Sequence, residues 1–243
     1  MVKLKEVLRK VFFPSDYTCL FCGREIFSGR SVCEDCKKTL PYNDGYICDK
    51  CGRKTFAPVS YCDSCKGKEL HFDIARSAYT YEKPINYALM NLKYNNFKYL
   101  AREFAKDLKK VYLKTFYPCD VITFVPTSKE KLKERGYNQS EMMAVALSKE
   151  LSLPVICDAV IKTRNTESQV GLNQKERLIN LSGSFSVKNR KDIKDKTVLL
   201  IDDVFTTGTT ATLVSEKLKN AGATSVFVLT VASVFFRPKD HND

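Results

Sequence analysis

From His71 onward the chain alternates between two hydrophobic patterns. Continuous apolar runs occur at Val121–Val125, around Val155–Ile161, at Val198–Ile201 and at Ser225–Val234, and HFDIARSAYTY (His71–Tyr81) reads as a further strand. Runs of this kind are what strands covered on both faces of a parallel sheet require. Between them lie segments with helical spacing: one opened by Pro84 at a favoured first-turn position, then Tyr99–Phe116, Gln139–Leu151, Gln174–Leu181 and Ala211–Asn220. The alternation predicts an α/β fold, a mostly parallel sheet flanked by helices.

The first 70 residues lack this alternation and hold eight of the ten cysteines. CLFCGREIFSGRSVCEDC (Cys19–Cys36) and CDKCGRKTFAPVSYCDSC (Cys48–Cys65) align without a gap, each with two C-x-x-C pairs, Gly-Arg after the second cysteine (Gly23 and Arg24, Gly52 and Arg53) and a matching phenylalanine (Phe27, Phe56). Two residues between thiolates let both reach one metal from a tight knuckle, and four such thiolates close a tetrahedral zinc site. A copy of about 20 residues is too small to bury a stable core, so metal must supply its folding free energy. The spacing therefore predicts two structural zinc ions, one held by Cys19, Cys22, Cys33 and Cys36 and the other by Cys48, Cys51, Cys62 and Cys65. Redox pairs and an iron–sulfur cluster are the alternatives, but a redox motif has no need of four matched repeats. Because each copy is complete, sequential ribbons are favoured over a cross-braced pair. The expected organisation is a small four-cysteine zinc-ribbon domain, present in two copies, at 1–70, a hinge near Lys66–Leu70, and a domain at 71–243. His71 and His241 fall outside the ligand pattern, and Cys119 and Cys157 read as small apolar core residues.

Chemistry concentrates at VLLIDDVFTTGTT (Val198–Thr210). An apolar strand runs into Asp202 and Asp203 and then a turn of Thr206, Thr207, Gly208, Thr209 and Thr210, followed by a helix. Ligands in open α/β sheets bind beyond the carboxyl ends of such strands. Hydroxyls, backbone N–H groups and a helix N-terminus make a phosphate cradle, while the acids suit the vicinal hydroxyls of a ribose, directly or through Mg²⁺. The plainer alternative has the acids capping the helix and the threonines filling a turn. A Walker A loop is excluded because no GK[ST] follows.

IDDVFTTGTT resembles the phosphoribosyl pyrophosphate (PRPP) loop of type I phosphoribosyltransferases. In such a transferase VPTSKEKLKERGYNQS (Val125–Ser140) would carry the pyrophosphate loop, with Thr127, Ser128 and Lys129 in it; a solvated charged loop is the alternative. RNTESQVGLNQKERLIN (Arg164–Asn180) places Arg164, Thr166, Gln169, Leu172, Arg177 and Asn180 in an R-x-T-x-x-Q-x-x-L-x(4)-R-x-x-N spacing. Its polar first half suits a flexible loop that closes over PRPP and excludes water, against a plain surface connection.

The double ribbon followed by RGYNQ, R-x-T-x-x-Q-x-x-L and DDVFTTGTT in that order resembles the ComF (ComFC/GntX-like) family, over nearly the whole span from Cys19 to Val234. The resemblance implies a cytoplasmic protein for DNA uptake in natural transformation, acting with the helicase-like ComFA and binding PRPP and single-stranded DNA. The alternative is an active phosphoribosyltransferase that moves phosphoribosyl from Mg²⁺-PRPP to a base or other acceptor. Asp202 and Asp203 would then hold the ribose, the threonine turn the 5′-phosphate, and Lys129 with Arg164 or Arg177 the departing pyrophosphate. In the non-enzymatic version the same site serves as a sensor or anchor in a DNA-handling module.

Charge bears on that choice. The formal net charge is +12, with lysines clustered at Lys129, Lys131 and Lys133 and basic residues again at Lys188, Arg190, Lys191, Lys194 and Lys196. Basic residues release counterions from a nucleic-acid backbone and interleaved aromatics stack on bases, a texture found in YALMNLKYNNFKY (Tyr87–Tyr99) unless its aromatics are core. No apolar run approaches the ~20 residues of a membrane span, and MVKLKEVLRKVFF is basic and amphipathic without a small-residue cleavage site, so a cytoplasmic chain with reduced thiols is expected.

Overall fold

The structure, a computed structural model, describes residues 18–26, 32–116, 118–163 and 183–235. The expected helix at Gln174–Leu181, together with Phe27 and His241, lies outside them. Four strands, β1 (Ile74–Thr80), β2 (Val121–Phe124), β5 (Thr197–Phe205) and β6 (Ser225–Ser233), form a sheet in the order β1-β6-β5-β2, every pair parallel. Leu200 is in register with Val228 on one side and Thr123 on the other.

The continuous apolar runs are explained by what covers the sheet. Successive strand side chains point to opposite faces. Leu199 and Ile201 of β5, with Phe227, Leu229 and Val231 of β6, belong to one core; Val198, Leu200, Val226 and Val228 belong to the other. The first core is closed by helices α2 (Ile85–Tyr94), α3 (Leu100–Thr115) and α5 (Gln139–Leu151), and the second by α6 (Thr209–Asn220). Helix α3 shows how: Leu100, Ala101, Phe104, Ala105, Leu108 and Tyr112 form its buried stripe, each large apolar side chain contributing about 1.5–3 kcal/mol of burial.

Two expected elements came out differently. The strand around Val155–Ile161 is divided. Val155 makes one parallel bridge to Ile122 at the sheet edge, where Pro154 can accept from Ile122 N–H but cannot donate. The chain then turns, and β3 (Val160–Lys162) pairs antiparallel with a short strand, β4 (Phe185–Val187), away from the main sheet. That turn also leaves Cys157 exposed, whereas Cys119 is buried as expected. The second difference is a short helix, α4 (Lys129–Arg135), inside the segment expected to be loop.

The ribbons build both cores. Helix α1 (Glu34–Thr39) carries Cys36, and Cys19, Leu20, Phe21 and Cys36 enter the first core, with the Phe21 and Phe104 ring centroids 6.0 Å apart. Cys48, Cys51 and Cys65 enter the second beside Phe72 and Phe205. Among the described residues no helix is long and apolar enough to cross a membrane.

Candidate functional site

The eight cysteines of the repeat form two separate clusters, Cys19–Cys22–Cys33–Cys36 and Cys48–Cys51–Cys62–Cys65, each with its sulfurs within 4.8 Å of one another. The pairing is thus sequential. A tetrahedral zinc site with Zn–S bonds near 2.3 Å sets its sulfurs about 3.8 Å apart. Cys22 and Cys33 are 3.8 Å apart, and Cys62 lies 3.7 Å from both Cys51 and Cys65. Backbone N–H groups are aimed at sulfur as well: Cys33 N–H donates to Cys19 Sγ at 3.3 Å and Cys62 N–H to Cys48 Sγ at 3.2 Å. The clusters therefore fit structural zinc. His71 is in neither and lies 3.9 Å from Glu69.

The second site is a cavity of about 710 Å³ at the carboxyl ends of β5 and β2. Strand alternation separates the two acids. The Ser140 hydroxyl donates to Asp202 Oδ1 at 3.1 Å, while Asp203, 8% exposed, accepts from Lys93 Nζ at 2.5 Å and Gln139 Nε2 at 3.3 Å. Their titration separates accordingly. Burial and the charge of Asp203 push Asp202 up to about 8. Burial also works to raise Asp203, but Lys93 and the N–H of Val204 override it and hold that carboxyl below the usual range. One carboxyl thus keeps its proton near neutrality while its neighbour stays ionised.

The turn after β5 is built by Gly208, whose φ of +80° is open to glycine at little cost and whose backbone forms the N-cap of α6. A Cβ there would come within 2.8 Å of the Phe205 ring. The Thr207 and Thr209 hydroxyls share a hydrogen bond of 2.9 Å, so they brace the turn, while Thr206 and Thr210 line the cavity. The helix N-terminus beyond favours an anion.

On the β2 side Thr127 and Ser128 line the cavity, and Ser128 caps α4 by accepting from Lys131 N–H. Lys129, expected in the pyrophosphate loop, lies exposed on α4 outside the lining; further along the same helix, Lys131 takes that place. Burial and the nearby Arg135 lower the Lys131 ammonium, and burial with Lys131 lowers Lys162 of β3. Arg135 donates to Tyr94 Oη at 3.0 Å and to Gln139 Oε1 at 3.3 Å, and Asn138 caps α5. Four cations, Lys93, Lys131, Arg135 and Lys162, and three acids, Glu134, Asp202 and Asp203, line the cavity. Arg164, Thr166, Gln169 and Arg177 lie outside the described residues. The segment Tyr87–Tyr99 proves mixed: Leu89 and Leu92 are core, whereas Tyr87, Tyr94, Phe97 and Tyr99 are exposed, and Tyr94 lines the cavity.

With this geometry in place, comparison with known proteins is consistent at both ends of the chain. The phosphoribosyl transferase domain model matches residues 137–242, and the double zinc ribbon domain model matches residues 8–66. The chain is 29% identical over 160 residues to competence protein F of Haemophilus influenzae, covering 63% of this chain and 69% of that protein. It is 31% identical over 156 residues to competence protein ComFC of Bacillus subtilis, covering 62% of this chain and 61% of that protein. It is 32% identical over 109 residues to DNA utilization protein YhgH of Escherichia coli, covering 45% of this chain and 47% of that protein. The matched stretches thus span about half to two thirds of these relatives. Fold and sequence together define a phosphoribosyltransferase-type α/β protein joined to a double zinc ribbon. Within that class, the chain is similar to the ComFC-type competence and DNA utilization proteins.

Proposed function

We propose that this protein acts in DNA uptake, that its cavity binds PRPP with Mg²⁺, and that single-stranded DNA engages the aromatic, basic rim beside it. The observation that carries the reading is the meeting of Asp202 and Asp203, Thr206 and Thr210 of the turn, and four cations in one cavity. The turn and the α6 N-terminus suit the 5′-phosphate, the acid pair the ribose hydroxyls, and Lys131 with Arg135 the diphosphate. Asp203, and Asp202 once its proton leaves, would offer the oxygen ligands that Mg²⁺ prefers, and a bound Mg²⁺ would neutralise diphosphate charge. Lys93 competes with it for Asp203. The names of the relatives, competence and DNA utilization proteins, support a DNA-handling role; the cytoplasm as its place and a ComFA-type helicase as its partner are part of the proposal.

The rim supports the second ligand. Tyr94 is 52% exposed, with the Arg135 guanidinium 4.7 Å from its ring centroid, and the Lys98 ammonium lies 4.7 Å from the Tyr137 centroid. An exposed ring backed by a cation, as Tyr94 is, stacks bases without regard to sequence.

Calorimetry with Mg²⁺-PRPP on the wild type and on the Asp202→Ala/Asp203→Ala variant tests the site. Binding by the first and not the second is expected; equal affinities refute the assignment. For DNA, log K should fall linearly with log salt, and a flat response counts against phosphate contacts. Pyrophosphate release in the presence of DNA or free bases decides whether the bound PRPP turns over: release makes the protein a transferase, and silence across all acceptors makes the site a sensor or anchor.

A further inference from the structure

The two copies of the cysteine repeat carry the same Gly-Arg pair and use it differently. Arg24 stays within its own ribbon, 2.9 Å from Asp35, with its side chain 63% exposed. Arg53, at the equivalent place, is 3% exposed. Its Nη2 donates to the backbone carbonyl of Thr206, and its guanidinium carbon sits 5.3 Å from the Phe205 ring centroid. Thr206 lines the cavity, and Phe205 is the ring that backs Gly208.

The knuckle reaches the turn because it lies directly on the sheet. Gly52 has φ +68°, and a Cβ on it would collide with the carbonyl oxygen of Ala75 in β1. Ala75 N–H donates to Lys50 O at 2.9 Å, and Arg76 Nη1 donates to Asp49 O at 2.9 Å. At the matching Gly23 a Cβ would meet nothing within 4 Å, so the first knuckle has no such seat on the sheet. Gly52 and Arg53 directly follow Cys51, and the metal cluster therefore fixes where the guanidinium can go.

We infer that Arg53 is a positioning residue for the phosphate turn, coupling the second ribbon, and not the first, to the ligand site. A charged donor on the Thr206 carbonyl fixes the peptide that enters the turn, and its stacking on Phe205 fixes the ring against which Gly208 rests. With Arg53 in place the N–H groups of the turn are held ready for an anion; without it the turn must order on binding. The coupling rests on the PRPP reading only for the identity of the ligand.

Two readouts test it. In the first, Mg²⁺-PRPP affinity is measured by calorimetry on Arg53→Ala, Arg53→Lys and Arg24→Ala, with zinc content determined for each. Arg53→Ala is expected to bind about tenfold more weakly with zinc retained. Arg53→Lys should recover most of the loss, and Arg24→Ala should match the wild type. In the second, without ligand, amide hydrogen exchange at Thr206–Thr210 should quicken in Arg53→Ala alone. If the wild type does not bind Mg²⁺-PRPP while exchange in the turn still responds to Arg53 alone, the ligand assignment fails and the coupling stands. If Arg53→Ala matches the wild type in both readouts, or Arg24→Ala changes them equally, the coupling is overturned. Should the alanine variant fail to fold, Arg53→Gln is compared with Arg53→Lys, and equal affinities for the two overturn it as well.

Discussion

Lys93 Nζ lies 2.5 Å from Asp203 Oδ2, so α2 delivers a cation to a carboxylate at the far end of β5. Both side chains are largely buried, and removing one partner of such a pair leaves an uncompensated charge at a cost of about 3–5 kcal/mol. Lys93→Met should therefore destabilise the protein by that order at neutral pH. The folded Asp203 titrates below its unfolded value of 3.8, so the pair's contribution is present above that value and lost as pH falls through the depressed one. Urea unfolding from pH 7 downward should show the Lys93→Met deficit shrinking in acid. A deficit independent of pH would remove the ion pair as its cause.

Asp202 carries the opposite linkage. Its folded pKa is raised from 3.8 to about 8, so between those values the unfolded chain releases a proton that the folded chain keeps, and stability falls as pH rises. Asp202→Asn removes that cost. The variant should gain stability on the wild type progressively from about pH 4.5 to about pH 8.5, by on the order of a few kcal/mol at the upper end, while losing PRPP affinity. Denaturant midpoints across that range decide it; parallel curves for the two proteins would assign the proton elsewhere.

Gly208→Ala tests the geometry of the turn. The substitution places a side chain at φ +80° and 2.8 Å from a buried ring. The backbone term alone costs roughly 1–2 kcal/mol, and displacing Phe205 adds to it. Thermal melting should register the loss, and phosphate-ligand affinity should fall with it. An alanine variant with wild-type affinity would show that the turn does not need this conformation.

What was legible in the sequence follows from periodicity and spacing. Leu199 and Ile201 against Val198 and Leu200 could be read as a strand because both sheet faces are covered, and the cysteine spacing alone determined both clusters. Helix α4 is hard to read from sequence because it fully buries no side chain and so has no apolar period; only its ends, Ser128 and Gly136, signal it. The winding of that helix turns Lys129 out to solvent and Lys131 into the cavity, an arrangement that charge spacing alone does not show. Lys93 carried no signal toward Asp203, because only the sheet order brings α2 to the end of β5. Arg53 was hidden for a different reason: its repeat matches the first in sequence, and the difference lies in what each knuckle rests on.

Zinc withdrawal tests whether the ribbons hold the rest of the fold. Structural zinc in finger peptides contributes about 10–16 kcal/mol of binding free energy that appears as folding free energy. Here the effect should extend beyond the ribbons, since Cys19 and Cys36 share a core with Phe104 and Leu229, and Cys48, Cys51 and Cys65 share one with Phe72, Val198 and Phe205. The purified chain should carry two zinc ions, and a strong chelator should lower the melting temperature of the whole sheet, followed by far-ultraviolet circular dichroism. Hydrogen exchange should then quicken in α3 and β6 as well as around the cysteines. A chain that holds far fewer than two zinc ions, or whose β6 amides stay protected after both ions are removed, would show that the sheet stands without its ribbons.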